Sequence, residues 1–172
     1  MRALVVYESM FGCTRSVAEA IAEGLRLSTD DVRLVEVGQA PTDLTGVDLL
    51  VLGGPTHAFS MSRANTRADA ARQNGPRPLV SRGIGIREWL ERLPRPERTV
   101  RAATFDTRVR PPRVPGSAAR AADRRLRSLG LLMVAPAQSF WLAGTRGPLQ
   151  EGETARARQW ASGLVGVSLL TR

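Results

Sequence analysis

Five short apolar runs alternate along the chain with segments of helical periodicity. The first lies within residues 2–7 (Ala3-Leu4-Val5-Val6-Tyr7) and leads through Glu8-Ser9-Met10-Phe11-Gly12-Cys13-Thr14 to apolar positions at Val17, Ala18, Ile21, Ala22 and Leu25. That three-and-four spacing predicts a helix over 14–27. Over 32–37, Val32, Leu34 and Val37 are spaced by charged Arg33 and Glu36, the pattern of an edge strand. Residues 48–53 form a near-continuous apolar run that suits a central parallel strand buried on both faces. Further strands are predicted at 99–105 and at 131–134, the latter after a helix that ends at Gly130. Helices are predicted at 62–73, 85–93, 117–129 and 152–165. Within the second of these, Glu88, Trp89, Leu90 and Leu93 are amphipathic and Pro94 stops the helix. Strands alternating with helices imply right-handed crossovers and a parallel sheet, an α/β architecture in one domain over residues 1–172. In such a sheet a ligand sits beyond the carboxyl ends of the strands, which here points to the segments 8–14, 54–62 and 106–116.

Composition narrows the picture. The chain has 172 residues, 42% of them hydrophobic, enough for a real core. No stretch reads as a membrane span, and the N-terminus enters a strand directly, so the expected location is the cytoplasm. One cysteine excludes an internal disulfide, and with one histidine it cannot build a structural zinc site; no metal is expected. The net charge of +9 is carried by arginine alone. Arg108, Arg110, Arg113, Arg120, Arg124, Arg125 and Arg127 crowd a stretch containing one acid, Asp123. A solvated helix face is the plain interpretation. An acidic or phosphate-bearing partner is the functional one, and nucleic acid is disfavoured because no aromatic interleaves with the arginines.

The first loop carries the chemistry. A buried strand, a short loop with hydroxyls and a glycine, then a helix N-terminus presents backbone N–H groups and a partial positive charge to an anion. Three phosphate-handling alternatives lack their defining residues. A receiver domain needs an aspartate where Gly53 and Gly54 stand. A low-molecular-weight tyrosine phosphatase needs an arginine where Glu19 stands, six residues beyond Cys13. A dinucleotide-binding loop needs three glycines where Gly12 stands alone.

Ser9-x-x-Gly12-x-Thr14 resembles the phosphate loop of flavodoxins, departing from it at Phe11, where a hydroxyl residue is usual. Gly53-Gly54-Pro55-Thr56-His57-Ala58-Phe59-Ser60-Met61 resembles the second flavin loop, in the form found in quinone reductases of the tryptophan-repressor-binding-protein type. Phe11 also fits those relatives. The resemblance spans roughly residues 1–165. It implies a flavodoxin-like, doubly wound five-stranded sheet of order 2-1-3-4-5 with helices on both faces, and non-covalent FMN.

By the same resemblance, Ser9, Met10, Phe11, Gly12, Cys13 and Thr14 hold the phosphate, with Ser9 and Thr14 donating hydroxyls. Pro55, Thr56, His57, Ala58, Phe59 and Ser60 flank the ring, with His57 a candidate for proton transfer. Asp106, Thr107 and Arg108 meet its pyrimidine edge. The segment 106–116 offers no aromatic to cover the second ring face. Cys13 at a helix start is where a thiol pKa would fall. The implied function is electron transfer by a diffusing carrier. The alternatives are an FMN-dependent NAD(P)H oxidoreductase acting on a quinone, and an interaction module that has lost its flavin. Apolar Trp89, Leu90 and Leu93 in the long connection 54–98 would then serve a subunit interface in a homo-oligomer or a cover for the ring. The arginine-rich 108–127 segment would meet an acidic redox partner or the phosphates of a nicotinamide cofactor.

Overall fold

The computed structural model describes residues 1–110 and 116–166. Strand β1 (Ala3–Tyr7) is buried along its whole length and pairs in parallel with β2 (Val32–Glu36) on one side and β3 (Leu49–His57) on the other. β3 pairs in parallel with β5 (Arg101–Val109). The fifth position is shared. β6 (Leu132–Met133) lies in parallel beside the start of β5, and β7 (Gln138–Leu142) beside its end. The order β2-β1-β3-β5-β6/β7 is the predicted one, with the last strand split and a short antiparallel addition, β4 (Ser60–Met61), paired with the end of β3.

Alternation along the strands divides the core into two layers, because successive side chains leave opposite faces of a sheet. Ala3, Val5, Tyr7, Leu49, Val51 and Phe105 pack against α1 (Cys13–Arg26) and α5 (Glu153–Gly166) through Val17, Ile21, Leu25, Ala157 and Leu164. Leu4, Val6, Leu50, Leu52 and Ala102 pack against α3 (Ile86–Arg92) and α4 (Ala118–Ser128) through Ile86, Trp89, Leu90, Ala122 and Leu126. α2 (Ala64–Asn74) lies outside both layers and buries only Ala70.

Three sequence expectations need correction here. The third and fourth strands do not stop at 53 and 105. They run on together to Pro55 and Thr107 in parallel register, so Asp106, Thr107 and Arg108 belong to β5 and not to a loop. The fifth strand at 131–134 is reduced to β6, and β7 is an additional strand that the sequence reading left out. Trp89, Leu90 and Leu93 are no more than 3% exposed and belong to the core under the sheet, so they form neither a subunit interface nor a cover for a ligand.

Candidate functional site

The carboxyl ends of β1, β3, β5 and β7 open onto one cavity of about 320 Å³. That volume lies at the lower end of the range for small-molecule sites, roughly 300–1,000 Å³. Its first wall is the loop from Ser9 to Thr14. Gly12, the N-cap of α1, has φ +106°, a left-handed conformation natural to glycine, and an added Cβ would meet nothing within 4 Å. The constraint is therefore conformational and not steric. The Oγ of Ser9 accepts from the amides of Gly12 (3.2 Å) and Arg15 (3.3 Å), which closes the loop on itself. Cys13 and Thr14, the first residues of α1, have no carbonyl one turn back for their amides. The Thr14 and Thr107 hydroxyls share a bond of 2.6 Å across the cavity floor.

The loop is held from behind by residues 79–81, part of the stretch 74–83 that reads from the sequence simply as a loop. Ser81 N donates to Ser9 O (2.8 Å), Val80 N to Met10 O (3.0 Å), and Ser9 N to Ser81 Oγ (3.0 Å). Met10, Ala70 and Leu79 form a small apolar cluster of their own, with Phe11 packed on it. Glu8 is fully buried. Its carboxylate accepts from Ser62 Oγ and from Ile86 N (2.8 Å), while Arg67 donates to Ser62 Oγ (2.9 Å) and to Glu88 (2.8 Å). Burial pushes the Glu8 pKa above the usual carboxylate range, against these hydrogen bonds and the charge of Arg67.

The second wall is the end of β3. Pro55, Thr56, His57 and Ala58 line the cavity. Ala58 and Phe59 both have positive φ (44° and 69°) and make a two-residue hairpin into β4. That turn carries Phe59 outward, 60% exposed, and neither Phe59 nor Ser60 lines the cavity. The Thr56 hydroxyl donates to Asp106 Oδ2 (3.0 Å) and accepts from Ala118 N (2.9 Å), so its side chain is committed to the start of α4. Burial, aided by the charge of Arg67, pushes the His57 pKa below its ordinary value, and the imidazole is neutral at pH 7.

The third wall departs most from expectation. Asp106 is fully buried and points to the other face of the sheet. There Oδ2 accepts from Ser117 Oγ and Ala119 N (3.1 Å), making it part of the cap of α4 and not a cavity residue. Arg108 borders the cavity, but its guanidinium donates to Ser139 Oγ (3.1 Å) and Gly116 O (2.9 Å). With Arg110 it lies over the Trp141 ring, at 5.2 and 5.0 Å from the centroid. Of the arginine cluster, Arg120, Arg124, Arg125 and Arg127 are exposed on α4, and Arg127 pairs with Asp123 at 2.7 Å. Arg113 and the rest of 111–115 lie outside the described residues.

Ser9, Met10, Phe11, Cys13, Thr14, Pro55, Thr56, His57, Ala58, Thr107 and Arg108 thus meet around one cavity, while Gly12, Phe59, Ser60 and Asp106 do not line it. Of the remaining lining residues, Val109 falls in the expected segment 106–116 without having been singled out, while Thr66, Asp69, Ala70 and Gln73 from α2, Leu142 from β7, and Thr145 and Arg146 from the loop after β7 were missed. The glycine-rich turn Ala143-Gly144-Thr145-Arg146-Gly147-Pro148, directly after an apolar pair, was the available signal for the last two. For Cys13 the expected fall in pKa is reversed. Burial pushes the thiol up, against a hydrogen bond with the Leu149 backbone, and it is protonated at pH 7.

The fold is shared with known proteins. An archaeal flavodoxin superposes with a TM-score of 0.65 at 17% identity, covering 98% of this chain and 99% of its own. Oxidised flavodoxin 1 from Bacillus cereus gives 0.68 at 15% identity, with 96% and 98% covered. A flavodiiron core from Synechocystis gives 0.63 at 12% identity, with 98% of this chain matched to 36% of that one. The chain has a flavodoxin-like fold. No protein-family model and no curated sequence matches it. Among the described residues no helix is long and apolar enough to cross a membrane.

Proposed function

We propose that the chain binds FMN and works as an electron-transfer carrier. The observation that carries this reading is the cavity itself, at the point between β1 and β3 where the strand order reverses, with the start of α1 on one side and an apolar wall on the other. The donor set fits a phosphate monoester. The amides of Cys13 and Thr14, the Ser9 and Thr14 hydroxyls and the partial charge of the α1 N-terminus converge at one end. The one carboxylate among the cavity's lining residues, Asp69, is paired with Arg72. Met10, Pro55, Ala58, Val109 and Leu142 offer the apolar surface that a flat ring requires.

When bound, FMN would supply reversible electron transfer. The chain's own residues set its surroundings. Thr107 orients the Thr14 hydroxyl, His57 presents a neutral imidazole able to take a proton at a ring nitrogen, and the 79–81 segment fixes the loop from behind. The exposed arginines of α4 favour an acidic redox partner.

A second reading, an FMN-dependent NAD(P)H oxidoreductase acting on a quinone, draws on α2, which walls one side of the cavity with Thr66, Asp69 and Gln73. One experiment tests both. The purified chain is titrated with FMN, then mixed anaerobically with NADH or NADPH while the visible spectrum is followed. Saturable binding without bleaching is expected for the carrier. Rapid bleaching would replace the carrier with the oxidoreductase, and absence of binding would refute both.

A further inference from the structure

The loop between β7 and α5 closes over the start of α1. It is internally braced by Ala143 N to Pro148 O (2.9 Å) and Gly147 N to Gly144 O (2.9 Å). It is also tied to the end of β7 by Gln150 N to Trp141 O (2.9 Å). A Cβ built on Gly147 would lie 2.6 Å from Cys13 Sγ, so the loop touches the first residue of α1. Its neighbour Arg146 is exposed, lines the cavity, and holds its guanidinium carbon 5.4 Å from the centroid of the Phe11 ring. That distance is within cation–π range, about 6 Å. Phe11 is the residue that stands where flavodoxin-like loops usually carry a hydroxyl. Here it serves as the platform for a cation at the same loop.

Among the described residues no carboxylate pairs with Arg146, whereas Arg108 lies 3.9 Å from Asp106 and Arg67 lies 2.8 Å from Glu88. A cation without its own counter-charge, stacked on the anion-binding loop and open to the cavity, is placed for a ligand's negative group.

Resting on the reading that the cavity takes FMN, we propose that Arg146 is the counter-charge for the ligand's phosphate. It makes the site select phosphorylated flavin over riboflavin. A phosphate monoester carries between one and two negative charges near neutral pH. A guanidinium can meet it with two parallel N–H donors, and an ammonium only as a point charge.

The test measures dissociation constants of FMN and of riboflavin, by quenching of flavin fluorescence, for the wild-type chain, Arg146→Gln and Arg146→Lys. Thermal unfolding midpoints of the ligand-free proteins serve as the fold control. For Arg146→Gln we expect FMN affinity to fall about 10- to 100-fold, the range of a charge-assisted hydrogen bond, with riboflavin affinity unchanged. Arg146→Lys recovers part of the loss, and the salt dependence of FMN binding is weaker in Arg146→Gln than in the wild type. Equal weakening of FMN and riboflavin would place Arg146 at the ring and overturn the inference, as would unchanged FMN affinity. A wild-type chain that binds no FMN would overturn the FMN reading and this inference with it; FMN binding that ignores Arg146 overturns the inference alone.

Discussion

Thr14 and Thr107 come from elements far apart in sequence, the first turn of α1 and the end of β5, and each is only 2% exposed. Their hydroxyls face one another at 2.6 Å. Replacing Thr14 by valine keeps the shape and removes one hydroxyl, leaving the other buried without its partner. The cost of such an orphaned group is about 1–3 kcal/mol. Thr107→Val does the same from the other side. The double variant removes both groups, and replacing both partners by apolar groups of the same shape is close to neutral. The double variant should therefore be more stable than the sum of the singles by about 2 kcal/mol or more, a coupling energy read from urea unfolding midpoints of the four proteins.

FMN affinity supplies an independent axis. A hydroxyl that donates to a phosphate must accept from its neighbour, so Thr107 orients Thr14 while Thr14 makes the contact. Thr14→Val should weaken FMN binding roughly tenfold, about 1.4 kcal/mol, and Thr107→Val by less. Additive stabilities in the cycle would refute the shared bond, and equal FMN losses would refute the division of roles.

Other outcomes follow from the same geometry. Gly12→Val places a β-branched residue at φ +106° in open space, so its cost is conformational, about 1–2 kcal/mol or more; FMN affinity should collapse while the far-ultraviolet circular dichroism is retained. Retained affinity would show that the loop does not hold the phosphate. Glu8 has a folded pKa above its unfolded one, so the native state keeps the proton to higher pH. Its contribution to stability is fully present below the usual glutamate pKa and is lost as pH rises through the folded value. Glu8→Gln removes that titration, so its advantage over the wild type in urea should widen as pH rises above the usual glutamate value, and a constant gap would refute it. Cys13 should react slowly with a thiol reagent at pH 7, with a rate midpoint above the ordinary value of about 8.5; a midpoint below it would show a stabilised thiolate.

The strand–loop–helix start, the apolar run of β3 and the helical periods of α1, α3 and α4 were legible because each buries one face or both, and burial writes itself as hydrophobicity. Legibility failed where a strand enters the site. Asp106, Thr107 and Arg108 are polar and follow an apolar run, which reads as a loop, yet Asp106 and Thr107 stay in register with Gly54 and Pro55 of β3, and all three with Ser139, Phe140 and Trp141 of β7. Once they are strand residues, parity places Asp106 on the α4 face and Thr107 on the cavity face, a distinction no loop assignment can make. β7 escaped notice because Pro136 interrupts the preceding run and Gln138 and Ser139 begin the strand, with Phe140 and Leu142 as its only fully apolar inward positions. The contribution of α2 to the cavity was unreadable because a helix that buries one alanine has almost no apolar stripe. His57 lines the cavity, but its lowered pKa comes first from burial and then from the charge of Arg67, surroundings brought together by the fold alone.

The division of the fifth strand position between β6 and β7 has a consequence for how the molecule behaves in a crowd. A long, flat outer strand offers a ladder of free amides and carbonyls on which another chain can grow. Here the ladder is two residues long at β6, and along β7 the returning chain has already taken Trp141 O and bridged Leu142 to Leu149. Glu153 accepts from the Trp141 amide as well, at 2.7 Å. The edge nearest the cavity therefore keeps its opening for a small ligand while refusing a second β-strand, which leaves β2 as the edge with the longer open ladder.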